Sequence, residues 1–350
     1  KWIILFGGSS ITDYTIPEGI VGIGNYAFED KVNLRSVTLP ESLVQVSRTA
    51  FEGCYNLEAV YGKNTTEDHF CHVKDGKLTA MLINKGIPNE YKIPDNVTVI
   101  GFNFTGENAG FGVYDSDNVV IRNNKVVIKN PTIDSNVCIE IIDSDNVILY
   151  KNVFGLMIGD NNGTYANNII RAENSNDLYI ISNDMAAYLP PRDVNWTSGE
   201  VYSEGVSLED CDNAILFNNR IVVMANNDTT SEYATIYALH ITGDNATIFK
   251  NQIGVLEAPY GYALVIEGSD FNITRNWVGA GENASYACAI DVEGPSNGVI
   301  DTNEICAMGE SGYGVYTADW AGDVKADIIN NVIYVNAISG FGMSLSGSEV

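Results

Sequence analysis

The chain has 350 residues, 45 acidic and 19 basic, for a formal net charge of −26. That balance lacks the basic footprint of a nucleic-acid binder and would be repelled by an anionic membrane surface. No apolar run approaches the roughly 18 residues of a spanning helix. Neither nucleic acid nor membrane insertion is therefore expected, and the composition fits a soluble secreted or surface-exposed protein able to hold hard cations such as calcium.

Residue 1 is Lys, and "KWIILF" is too short for a signal peptide and lacks a cleavage site. Residues 14–29, "YTIPEGIVGIGNYAFE", and 37–52, "VTLPESLVQVSRTAFE", repeat at an offset of 23. Each has an apolar-Pro step, an acid, an alternating run and Ala-Phe. A longer echo matches "SITDYTIPEGI" to "IPNEYKIPDNV" at an offset of 77, so the chain is expected to begin inside a repeat and to be a piece of a longer protein.

These motifs resemble the BspA-type leucine-rich repeats of bacterial and protozoan surface proteins, which implies one short strand of a curved solenoid per repeat. The insertion "YGKNTTEDHFCHVKDGKLTAML" resembles a hairpin segment of that family. The leucine-rich repeats are expected over residues 1–95.

From residue 96 the period changes. Eight segments align on one Asn: Asn124, Asn152, Asn183, Asn219, Asn251, Asn276, Asn303 and Asn331. With Phe102 placed in front, the spacings are 22, 28, 31, 36, 32, 25, 27 and 28. Each period holds two or three alternating segments punctuated by Gly, Asn and Asp, with no helical pattern. This predicts an all-β solenoid, a right-handed parallel β-helix of about nine coils over residues 96–350, stacked at ~4.8 Å. Between 152 and 183 the stretch "GTYANNII" is an extra half-match to the repeat. The chain stops mid-coil, so caps are expected outside it.

The segments "NVTVIGFNF", "DSDNVVIRNN", "GDNATIFKN" and "FNITRN" resemble the pectin-lyase-like superfamily and, within it, adhesin-like surface proteins of methanogens. The stretch 91–104 is expected to be a shared seam, with Val99 and Phe102 one coil before Ile121 and Asn124.

The Asn column predicts a structural ladder of amides bonded from coil to coil. Phe111, Tyr237, Tyr262, Tyr286, Tyr313 and Phe341 form a second column. Tyr262 shares parity with Leu264, so these rings are expected in the core, with an exposed sugar platform as the other reading. Acids follow that strand in pairs. They read first as turn caps, and then, at Asp115 and Asp143, as a calcium site. A pair about 5 Å apart on adjacent coils also matches a retaining glycosidase. The arginines form no column beside the acids, which counts against a lyase.

The longest interval carries "MAAYLPPRDVNWTSGEVYSE", where Pro190-Pro191 rule out regular strand. Its Tyr188, Arg192, Trp196 and Tyr202 are the candidate ligand-binding residues, since loops on rigid scaffolds carry function. His69, His72 and His240 lack metal-ligand spacing. Six cysteines show no C-x-x-C pair, and buried thiols are expected, although the even count permits disulfides. Nine N-x-S/T sequons are present, of which Asn195 and Asn227 lie in expected loops.

No catalytic residue is assigned. The expected function is a non-enzymatic, extracellular or cell-surface adhesin-like scaffold. Its expected partner is a carbohydrate or protein on another cell surface. The alternative is a carbohydrate-active β-helix enzyme, a polysaccharide lyase or glycoside hydrolase.

Overall fold

The computed structural model describes residues 1–7, 10–40, 42, 45–46, 50–51, 54, 59–61, 70–74, 77–82, 98–100, 103–106, 110–129, 136–158, 167–189, 203–225, 235–281, 284–318 and 323–346. Every regular element among them is a β-strand.

In the N-terminal part the 23-residue offset is the strand register. Asp13–Thr15, Ser36–Thr38 and Ala59–Tyr61 pair in parallel, with Tyr14 opposite Val37 and Val37 opposite Val60. Trp2–Ile3, Gly22–Ile23 and Gln45–Val46 form a second parallel sheet. The Ala-Phe pairs of the repeat close the space between. Ala27, Phe28, Ala50 and Phe51 are buried, and the two phenyl rings stack at 4.9 Å. Phe70–Lys74 and Lys77–Leu82 pair antiparallel, as the hairpin resemblance implied.

From Thr98 each coil contributes a short, a middle and a long strand. The short strands run from Thr98–Ile100 through Val120–Arg122, Ile148–Tyr150 and on to Val324–Ile329, in one nine-stranded parallel sheet. Val99 pairs with Ile121, as the seam reading required, while 91–97 and Phe102 lie outside the described residues. Among the described residues seven of the nine short strands are paired on both sides, so the rod has about seven fully stacked turns, against the nine coils expected. Middle strands such as Asp184–Leu189 and long strands such as Tyr260–Glu267 form two further faces. These merge where Glu304–Ala318 and Val332–Leu345 run through without a break.

β-Branched and leucine side chains at alternate positions point inward and form one continuous core from Phe111 to Ala326. Two turn types close the coils. Between short and middle strands the residue before each ladder Asn is left-handed, from Asn123 (φ 55°) to Asn330 (φ 53°). Between long and short strands two positions are left-handed, for example Asp115 (φ 42°) and Asn118 (φ 59°). Asn and Asp tolerate that region better than other non-glycine residues, which explains their density here.

At the first of these turn positions two coils use glycine instead, Gly243 (φ 142°) and Gly268 (φ 151°). A Cβ on Gly268 would collide with the carbonyl oxygen of Gly243. Gly268→Ala is therefore expected to cost about 2 kcal/mol or more, read as a lowered urea midpoint. An unchanged midpoint would contradict this.

Candidate functional site

The Asn ladder is wholly structural in its geometry. Asn183 donates from its backbone N–H to Asn219 Oδ1 (2.9 Å) and from Nδ2 to the same oxygen (3.1 Å) and to Leu149 O (2.9 Å). Asn152, Asn219, Asn251, Asn276 and Asn303 repeat the pattern up to Asn331, and Asn124 also bonds Asn152 Oδ1. No polar valence is left over for a ligand at the interior rungs.

The turn acids are engaged in the same way. The backbone N–H of Asp145 donates to Asp117 Oδ1 (2.9 Å), that of Asn176 to Asp145 Oδ1 (2.8 Å), and Asp212, Asp244 and Ser269 continue the series. Beside it runs a buried serine ladder, Ser116, Ser144 and Ser175, in which each backbone N–H donates to the next hydroxyl. Sequence reading missed this ladder, although the repeated D-S-D and N-S-N triplets carry it. Asp115 and Asp143 occupy the same position on adjacent coils, exposed and left-handed. Two carboxylates supply at most four of the six to eight oxygens calcium takes. Among the described residues no three His, Cys, Asp or Glu gather into a group that could hold a metal ion.

Of the four predicted loop residues, Tyr188 lies within the middle strand Asp184–Leu189 and is 36% exposed. Arg192, Trp196 and Tyr202 lie outside the described residues. Cys54, Cys138, Cys211 and Cys288 are buried free thiols. Burial pushes the Cys138 thiol up to about 12, so it stays unionised.

The aromatic column requires a correction. Phe111 pairs with Ile139, which continues through Ile170, Val206 and Leu239 to Leu264, and it is buried in the core. The tyrosines belong elsewhere. Tyr237 pairs with Tyr262, Tyr262 with Cys288, Cys288 with Tyr313, and Tyr313 with Phe341. Tyr286 pairs with Tyr260, one position-pair away. The pairing skips Ala238 and Ala263, and both Ala263 and Leu264 enter the core. The long strand bends there, and one residue is spent on the corner. Parity carried across the corner puts Tyr262 inside, whereas the bend sends it outside.

The result is one outward-facing surface along the long strands on both sides of the bend, here called the groove. One wall is the tyrosine ladder, half-buried, with ring centroids 5.1 Å apart for Tyr237–Tyr262, 5.4 Å for Tyr262–Tyr286 and 5.2 Å for Tyr286–Tyr313. Burial raises the Tyr262 and Tyr286 phenols far above their ordinary value, so both hydroxyls are neutral. Across the bend lies an outward column that includes Glu140, Arg171, Ser207, His240, Val265, Asp291 and Tyr316. Beyond it stand Glu173, Glu209, Glu267 and Glu293.

Charges in the groove are tightly placed. Arg171 is spent on Glu140 (3.0 Å) and Glu173 (2.7 Å). His240 Nδ1 lies 2.9 Å from Glu204 Oε1. Burial opposes the imidazolium. The Glu204 hydrogen bond and charge outweigh it, aided by Glu293 and Glu209, and hold the pKa above the usual value. Asp291 is only 4% exposed, and its Oδ1 has no partner. Burial, reinforced by Glu293 and opposed by His240, pushes its carboxyl up to about 8.

Residues 4–89 match the family described as the BspA type leucine rich repeat region, in six copies. A search of the curated proteins finds no match. Among solved structures the chain is similar to that of PfbA, a surface adhesin of Streptococcus pneumoniae, at 14% identity and a TM-score of 0.45, over 95% of this chain and 84% of that one. Likeness of this degree says nothing of what the present chain binds.

Proposed function

We propose that the chain is a rigid segment of an adhesin-like extracellular or cell-surface protein and that it binds glycans in the groove beside its long strands. The observation that carries this reading is the tyrosine ladder. It presents a row of apolar ring edges with neutral hydroxyls that both donate and accept. A polyhydroxylated, partly apolar ligand needs that combination, and the stacked backbone beneath holds it in place without an ordering cost. Tyr188, on the middle strand Asp184–Leu189, adds an aromatic beyond the groove, and Trp196→Ala tests whether the 190–202 stretch takes part.

The intact chain is expected to bind a neutral oligosaccharide panel in titration calorimetry. Tyr262→Ala should weaken binding by tenfold or more, while Arg122→Ala, in the sheet of short strands, should not. If no oligosaccharide binds, or both variants behave alike, the groove reading is wrong. Calcium held at Asp115 and Asp143 would instead show as a chelator-sensitive melting temperature.

The second reading is a glycoside hydrolase in the same groove. It draws on Asp291, a carboxylic acid that holds its proton at neutral pH as a general acid must. A lyase for acidic polysaccharides fits less well, because Arg171 is already spent on two glutamates. Product assays for reducing sugar and for unsaturated ends, with and without calcium, separate these chemistries from binding alone.

A further inference from the structure

The groove is unusual in what it lacks. Among the described residues two buried side-chain polar atoms have no hydrogen-bond partner, Asn168 Oδ1 and Asp291 Oδ1. Both are acceptors. The Asn168 amide orientation follows from its surroundings, since its Nδ2 donates to Glu204 Oε2 at 3.3 Å. Both residues belong to the outer surface of the long strands. Asn168 precedes the corner residue Ile169 on the strand Asn167–Glu173, as Glu204 precedes Gly205 one coil later. Asp291 lies between Ile290 and Val292, which enter the core, so its carboxylate takes the outward side with His240.

The charged groups of this surface point the same way. Among the described residues Glu140, Glu173, Glu204, Glu209, Glu267 and Glu293 stand against Arg171 and His240, and both cations are paired within the groove. Buried acceptors without donors cost about 1–3 kcal/mol each. They are the kind of site a ligand's donors repay on binding. An anionic sugar brings further acceptors and negative charge into an acidic groove and makes both deficits worse. An ammonium group brings three donors and the opposite charge, and it also favours the faces of aromatic rings.

We infer that the groove is built for a saccharide carrying free amino groups, with Asn168 Oδ1 and Asp291 Oδ1 as acceptors for its donors. This rests on the groove reading above and goes further by naming the ligand class. Asp291 is covered in the free protein, so its contact requires the surrounding tyrosine side chains to part, a rotamer change rather than a movement of the coil backbone.

The test uses the intact chain and three probes of equal length: a fully deacetylated glucosamine oligosaccharide, its N-acetylated counterpart and an oligogalacturonate. The deacetylated probe is expected to bind at least tenfold more tightly than the acetylated one, and the uronate not detectably. Asp291→Asn should abolish the preference, so that the deacetylated and acetylated probes bind with equal affinity. Equal binding of the first two, or tightest binding of the uronate, overturns the inference while leaving the groove reading intact. Binding of none of the three defeats the groove reading itself. Polylysine provides the control for attraction to the net charge. If it competes as well as the amino sugar, and Tyr262→Ala leaves the amino sugar's affinity unchanged, the inference also fails. The preference is measured on the unaltered chain, so it stands or falls even if a variant does not fold.

Discussion

Asn219→Ala is expected to cost about 4 kcal/mol of stability, a large loss for a single side chain. Asn219 Nδ2 donates to Ile180 O (2.6 Å) and to Asn251 Oδ1 (3.0 Å), while its Oδ1 accepts from the backbone N–H (2.9 Å) and Nδ2 (3.1 Å) of Asn183. Truncation removes four bonds at once and leaves the buried Asn183 N–H and Ile180 carbonyl without this partner. The penalty for such stranded groups exceeds the net worth of the bonds themselves. The loss also reaches beyond one coil, because a solenoid's stability is a sum of nearest-neighbour interfaces and Asn219 joins two of them. Asn331→Ala, at the last rung, removes the acceptor for Asn303 and one bond to Ile300 O, with no described rung beyond it. It should cost less than half as much. Urea unfolding of both variants, with hydrogen exchange at residues 180–220 for the first, decides the matter. Equal losses at 219 and 331 would contradict the ladder's role.

Asp291→Asn is expected to do the opposite and stabilise the chain, in a pH-dependent way. The folded carboxyl sits at about 8, against an ordinary 3.8. Below pH ~4 the acid is protonated in folded and unfolded chains alike and contributes nothing. Between pH ~4 and ~8 the unfolded chain releases the proton and the folded chain keeps it. Stability therefore falls as pH rises, and the penalty levels off above pH 8. At 1.36 kcal/mol per unit, the ceiling is on the order of 6 kcal/mol. Because Asn also buries an amide, a gain of about 3 kcal/mol at pH 8, vanishing near pH 4, is the expected result. The difference between variant and parent cancels all other titrations except those of the immediate neighbours, Glu293 and His240. A variant no more stable than the parent at pH 8 would show that Asp291 is not buried as described.

These two residues show how unevenly the site was legible. The Asn ladder could be read from the alignment, because an Asn recurs at one place in a repeat and the fold stacks like on like. The long-strand groove could not. Tyr262 and Leu264 share parity on paper, and only the corner at Ala263, where two consecutive residues enter the core, puts the ring on the outside. Glu204 and His240 lie 36 residues apart in the chain and meet because one coil's circuit of 33 residues sets Glu204 beside Tyr237, with His240 three residues further along the same strand. The serine ladder was visible in its triplets but was overlooked beside the acids.

By itself, then, the amino-acid sequence determined the architecture. Alternating apolar residues, a change of period near residue 96 and left-handed turn residues at fixed places leave a parallel solenoid as the way to bury every strand. Local patterning is sufficient there because each coil repeats the same short-range problem. Which residues face the solvent together was decided only in the tertiary structure. Corners reset the alternation by one residue, and coil lengths bring distant acids side by side. Burial then sets the charge state of Asp291, a property no position in the sequence carries alone.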